Sequence, residues 1–141
     1  MEPYQRVLAL DHGERRIGVA ISDELGIIAQ ALEFIPANPF HGFCARLREL
    51  ISERPVALVL VGMPRNMDGS YGPAAAKVKE FMGRLAGEVS APVRSWDERL
   101  TSVQANKVLT QAGIRGGKRR EKVDATAAAI LLQSYLDSLP R

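Results

Sequence analysis

Three carboxylates stand where separate segments of the chain end or begin: Asp11, Glu98 and Asp124. Asp11 closes the apolar run "RVLAL", Glu98 follows Asp97 directly after "APVRSW", and Asp124 follows the basic stretch "GIRGGKRREK". Carboxylates brought together and partly removed from water repel one another, and their pKa values rise. A hard divalent cation such as Mg²⁺ or Mn²⁺ removes that penalty, because these ions prefer oxygen ligands. The chemistry such a cluster supports is phosphodiester hydrolysis: one ion lowers the pKa of the attacking water, and a second stabilises the leaving oxygen. Each acid also has a plainer reading. Asp11, two residues before Gly13, suits a turn. Asp97, Glu98 and Arg99 would make a surface ion-pair cluster of little energetic weight. Asp124 would serve as an N-cap with Val123 as its staple. Between the adjacent acids Asp97 and Glu98, position alone does not choose.

For these acids to meet, the elements carrying them must converge. "RVLAL" reads as a buried strand, "RIGVAIS" as a second, and the interval "HGER" with Gly13 as the turn of an antiparallel hairpin. "IIAQALEFI" reads as a third strand ended by Pro36, completing a meander. Asn38 is the expected N-cap of a helix with Pro39 at its first position. Its apolar face is Phe40, Phe43, Cys44, Leu47, Leu50 and Ile51, and Pro55 marks its end. "VALVLVG" is then a strand parallel to the first, since a helical crossover precedes it. Pro73 opens a second helix with the stripe Val78, Phe81, Met82 and Leu85. "APVRSW" is a short last strand, and Thr101 with Gln104 makes a capping box for a third helix. An alanine-rich final helix is expected over Val123 to Leu139. Residues Ala127, Ala128 and Leu131, at i+3, i+4 and i+7 from Asp124, put that acid on the helix's small apolar face.

The expected fold is therefore α/β: one five-stranded mixed sheet, three antiparallel strands and then two parallel ones, with helices packed on it. In such sheets ligands gather at the carboxyl ends of the parallel strands, which is where Asp11 and the Asp97–Glu98 pair fall. A single domain over residues 1–141 suits the length, with 46% hydrophobic and 25% charged residues. No apolar run approaches membrane-spanning length, "MEPYQR" does not read as a secretory signal, and one cysteine, Cys44, excludes a disulfide framework. The histidines His12 and His41 match no zinc spacing. These features together predict a cytoplasmic setting without membrane partners.

The net charge of +3 is concentrated. Arg115, Lys118, Arg119, Arg120 and Lys122 face a single acid, Glu121, within the expected loop Gly113 to Lys122. Such a focus attracts phosphate backbones, although charge runs are usually only solvated loops. "GIRGGKRR" is no phosphate loop of the nucleotide-binding kind: the glycine spacing is wrong and no Ser or Thr comes after Lys118.

Four blocks taken in order, "ALDHGERRIGVAISD", "VGMPRNMDGSYGPAA", "WDERLTS" and "KVDATAAAILLQSYLD", resemble the signatures of the YqgF/RuvX family. The resemblance covers nearly the whole chain and implies an RNase H-like fold related to the RuvC resolvases. It implies that Asp11, Glu98 and Asp124 are the catalytic, metal-holding acids, with Glu98 preferred to Asp97. It further implies a nuclease that uses Mg²⁺ or Mn²⁺ and acts on nucleic acid, either precursor 16S rRNA or branched DNA such as a Holliday junction. Within that reading, the loop "PRNMDGSYG" leads into a helix N-terminus that would meet a phosphate, with Arg65, Asn66 and Ser70 contributing. The basic segment would grip the backbone. Symmetrical cutting of a junction would call for a homodimer, which no feature of the sequence establishes. The rival is a non-catalytic RNA-binding or ribosome-assembly module with the same fold.

Overall fold

The computed structural model describes residues 5–66, 68–97 and 116–140, with backbone alone over 116–126. The apolar runs become strands β1 (Val7–His12), β2 (Arg16–Ser22), β3 (Ala29–Pro36), β4 (Leu58–Met63) and β5 (Val93–Asp97). Helices α1 (Phe40–Glu53), α2 (Pro73–Ala86) and α3 (Gly116–Ser138) complete the described elements. The sheet has the order β3-β2-β1-β4-β5. β1 pairs antiparallel with β2 and parallel with β4; β2–β3 is antiparallel and β4–β5 parallel. This is the expected mixed sheet, with β1 at its centre. Centrality explains the unbroken apolar run of β1, because a strand covered on both faces has no solvent side to mark with polar residues.

The two faces are distinguished by alternation along the strands. Leu8 and Leu10 of β1 join Val59 and Val61 of β4 against α1 and α2, through Phe43, Leu47, Val78, Phe81 and Leu85. Val7 and Ala9 join Leu58 and Leu60 against α3, through Ala128, Leu131, Leu132 and Leu136. The three α3 leucines are almost wholly buried, each contributing about 1.5–3 kcal/mol of transfer free energy. Among the described residues no helix is long and apolar enough to cross a membrane.

Several boundaries differ from expectation, these four among them. The N-cap of α1 is Pro39, with no side-chain cap bond; the Asn38 amide instead donates to the Glu14 carbonyl at 3.4 Å. β3 begins at Ala29 rather than Ile27. The Asp23 carboxylate takes the amides of Ile27 and Ile28, at 2.7 and 3.0 Å, and holds them in the turn. Pro36 is included in β3 as its last residue; on an edge strand its missing N–H costs no ladder bond. The last helix begins at Gly116, not Val123. Most of the expected basic loop is therefore helical backbone, and Asp124 lies about two turns inside α3, which removes the N-cap reading of it. The helix expected from Thr101 and Gln104 falls outside the described residues.

Candidate active site

Asp11 sits one residue from the end of β1 and is half-buried. The alternation that sends Val7 and Ala9 toward α3 gives Asp11 the same face. Its partner on β2 is Gly18. On β4 the last registered pair is Leu10 with Val61, so the next residue, Gly62, lies beside Asp11. Neither flanking strand therefore puts a Cβ next to this carboxylate on that face. The chain leaves immediately afterwards through a tight turn in which the Gly13 amide donates to the Arg16 carbonyl at 3.0 Å. A Cβ at Gly13 would lie 2.5 Å from that oxygen, so only glycine lets the strand turn away here.

His12 points the other way and stacks on Phe81, ring centroids 4.6 Å apart. Burial, and secondarily the Lys77 charge, hold its pKa below the usual histidine value. A cavity of about 450 Å³ opens there, lined by residues including His12, Glu14, Phe40, Lys77 and Arg84. It lies on the α1–α2 side, across the sheet from the face of Asp11.

Of the two adjacent acids Asp97 and Glu98, the first ends β5. Val93 packs on the α1–α2 side and Trp96 on the α3 side. The indole of Trp96 stands edge-on to Tyr135 of α3, centroids 5.2 Å apart, and donates to the Ser134 hydroxyl at 3.4 Å. Asp97 thus shares the face of Val93, opposite to Asp11, and pairs with Arg65 at 3.4 Å. Glu98 lies outside the described residues. Asp124 lies on the described backbone of α3, the helix that covers the Asp11 face; its side chain is outside the description. Ala128 and Leu131, at i+4 and i+7 from it, are buried as their spacing predicts. Among the described residues there is no group of three potential metal-binding side chains.

The loop after β4 is held by its own side chains. Arg65 donates through Nε and Nη2 to the Gly69 carbonyl, at 3.0 and 2.6 Å. The Asn66 side-chain amide donates to the Ser70 hydroxyl at 3.0 Å, and that hydroxyl donates to Asp68 at 2.6 Å. The Ser70 hydroxyl and amide pull the Asp68 carboxyl below its ordinary pKa. Gly69 has φ +88°, a conformation that favours glycine. The amides of Ala75 and Ala76 both reach the Gly72 carbonyl, and Pro73 has no N–H. The side chains expected to meet a phosphate directly, Arg65, Asn66 and Ser70, therefore shape this loop. Tyr71, which no sequence argument singled out, is 53% exposed. The Arg65 guanidinium lies 4.9 Å and the Lys79 ammonium 5.0 Å from the centre of its ring. Its only signal in sequence was an aromatic residue inside a Gly-Ser-Tyr-Gly turn. Of the basic segment, Lys118, Arg119, Arg120 and Lys122 occupy the first turns of α3 with side chains outside the description, and Arg115 lies outside the described residues.

Residues 5–138 match the family model described as "RuvX: Holliday junction resolvase". A protein of Symbiobacterium thermophilum named "Putative pre-16S rRNA nuclease" is 49% identical over 133 residues, covering 94% of this chain and 92% of its own. A protein of the same name from Chloroflexus aggregans is 47% identical, covering 95% of this chain and 94% of its own. Two solved structures share the fold. Thermus thermophilus RuvC, in complex with a Holliday junction substrate, has a TM-score of 0.54 at 20% identity, with 94% of each chain covered. The fowlpox virus resolvase with Holliday junction DNA has a TM-score of 0.59 at 13% identity, covering 97% of this chain and 100% of that one. The architecture is the RNase H-like one of these resolvases.

Proposed function

This chain belongs to the RuvX family, a family of nucleases, and on that premise we propose that it is a divalent-metal-dependent endonuclease acting on structured nucleic acid. The observation that carries the reading is the setting of Asp11: the end of the central strand, between two glycines, on the face that α3 covers. A half-buried carboxylate with no Cβ beside it on either flanking strand fits a hard cation's need for an oxygen ligand and room for water. Asp11, Glu98 and Asp124 would hold one or two Mg²⁺ or Mn²⁺ ions, which supply water activation and charge neutralisation at the scissile phosphate. Asp97, engaged by Arg65 on the other face, does not compete with Glu98 for this role.

The substrate proposed first is precursor 16S rRNA, because relatives above 45% identity over nearly their full length carry that name. A branched DNA is the second reading, from the family description, and it requires two sites and hence a homodimer. The segment with Arg115, Lys118, Arg119, Arg120 and Lys122 would hold the backbone, and the loop shaped by Arg65, Asn66 and Ser70 would meet the strand. A reducing cytoplasmic setting suits the single buried thiol, Cys44.

The test is cleavage by purified protein with Mn²⁺ of a 16S precursor bearing its 5′ extension, a four-way junction and plain duplex DNA. Asp11→Asn should lower the rate roughly a thousandfold or more, since an anionic ligand to the metal is worth several kcal/mol of charge stabilisation. Its melting temperature should be unchanged or slightly higher, because carboxylate repulsion is relieved. Undiminished cleavage by that variant would remove Asp11 from the site, and wild-type protein inert on all three substrates would favour the non-catalytic RNA-binding module.

A further inference from the structure

We propose that Tyr71, with Arg65 and Lys79, forms a stacking subsite for one unpaired nucleotide of the nucleic acid. The inference rests on the nuclease reading above and adds to it the feature that the loop after β4 recognises. Folding leaves half of Tyr71 in water, yet the loop that carries it is not slack. Arg65 is anchored by two bonds to the Gly69 carbonyl and a pair with Asp97, and its guanidinium lies on the Tyr71 ring. The Asn66 side-chain amide donates to the Ser70 hydroxyl, and the Asn66 backbone N–H donates to the Ser70 carbonyl at 2.8 Å, closing the loop next to Tyr71. An aromatic platform fixed in advance loses little entropy when a planar partner stacks on it.

The cations decide the class of partner. An exposed tyrosine alone would suit an apolar peptide as well as a base. Two positive groups within 5.0 Å of the ring centre select a planar ligand with an anion attached, which is a nucleotide. Lys79 is exposed and its stem is flexible, so its ammonium can track the adjoining phosphate while the base takes the ring. Bases inside a duplex have no free face, so the subsite takes an unpaired nucleotide and is tolerant of its sequence. The loop starts from the carboxyl end of β4, beside the end of β1 that carries Asp11, while Arg65 meets Asp97 on the opposite face of the sheet.

The test is equilibrium binding, read by fluorescence anisotropy, to a labelled RNA duplex carrying an eight-nucleotide single-stranded extension. The proteins carry Asp11→Asn and no divalent metal is present, so no cleavage intervenes. Tyr71→Ala should weaken binding about 5- to 150-fold, the loss expected for one base–aromatic stack, while Tyr71→Phe stays within about twofold. On a blunt duplex both should match the parent. One abasic position in the extension should cost the parent protein a similar factor and cost Tyr71→Ala nothing further. Equal binding by Tyr71→Ala and the parent, equal losses on the blunt duplex, or no abasic position whose effect Tyr71→Ala erases would each overturn the subsite. Cleavage by the wild type without this coupling would sink the subsite alone; the coupling without any cleavage would keep the subsite and sink the nuclease.

Discussion

Asp97 and Glu98 are neighbours in sequence, and of the two only Asp97 is among the described residues, on the face of Val93. Asp97 is about one-third exposed and pairs with Arg65 at 3.4 Å. A pair of that kind contributes about 0.2–1 kcal/mol, so Asp97→Asn should lower stability by no more than that. Its effect on the rate should be a few-fold at most, felt through the Arg65 loop. Glu98→Gln should instead lower the rate roughly a thousandfold, as Asp11→Asn does, because both would remove a carboxylate from the metal. Single-turnover rates for the two variants check this, and the reverse order would make Asp97 the ligand. Here the sequence was only partly legible. The adjacency of two acids hid that Asp97 is engaged by Arg65, a residue brought up by the parallel pairing of β4 and β5 rather than by local spacing. Tyr71 escaped notice for the same reason, because the cations that give it meaning come from a loop and from a helix.

At the scale of elements, β1, β2, β4, α1 and α2 could be read directly, because their apolar residues repeat with the period of the element and the burial agrees. The start of β3 failed because it is set by side-chain capture. Ile27 and Ile28 look like strand residues, but the carboxylate of Asp23 holds both amides. Gln133 of α3 clamps the start of β3 as well, accepting from the Ala29 amide at 2.8 Å and donating to the Ile27 carbonyl at 2.9 Å. In α3, the Gly-Gly pair and the run of charges masked a helix whose early residues have no apolar stripe to announce it. The Asp23 turn makes a testable case. The Ile28 amide first, with that of Ile27, lowers the pKa of Asp23. A carboxylate whose folded pKa is depressed stabilises the fold above its unfolded pKa of about 3.9 and loses that contribution as pH falls through the folded value. Asp23→Asn keeps an acceptor but not the charge. Urea unfolding should find the variant less stable than the wild type at pH 7, with the difference shrinking below about pH 4. A difference that persists unchanged to pH 2 would mean that the charge does not hold this turn.

Over the whole molecule, the charge and the candidate site converge on one helix. The net charge of +3 is concentrated in a segment whose last residues open α3, and α3 is the same helix that covers the Asp11 face of the sheet. A nucleic acid drawn to the first turns of α3 is thus drawn to the side of the sheet where Asp11 lies, whereas the cavity lined by His12 and Arg84 opens on the other side. Electrostatic attraction of this kind is measured by the release of condensed counterions, with log K falling by about 0.9 per neutralised phosphate as log salt rises on duplex DNA. Replacing Lys118, Arg119 and Arg120 together by glutamine should therefore flatten the salt slope on duplex by about two to three, if each meets one phosphate. The same protein should keep its unfolding midpoint, because Ala128, Leu131, Leu132 and Leu136, which pack α3 on the sheet, are left in place. An unchanged slope with an intact fold would move the grip to basic residues elsewhere on the surface, such as Lys79 beside Tyr71. A flattened slope, with the Tyr71 stacking cycle still intact, would separate the two contributions: α3 holding the backbone of the duplex, and the loop after β4 holding the unpaired strand that leaves it.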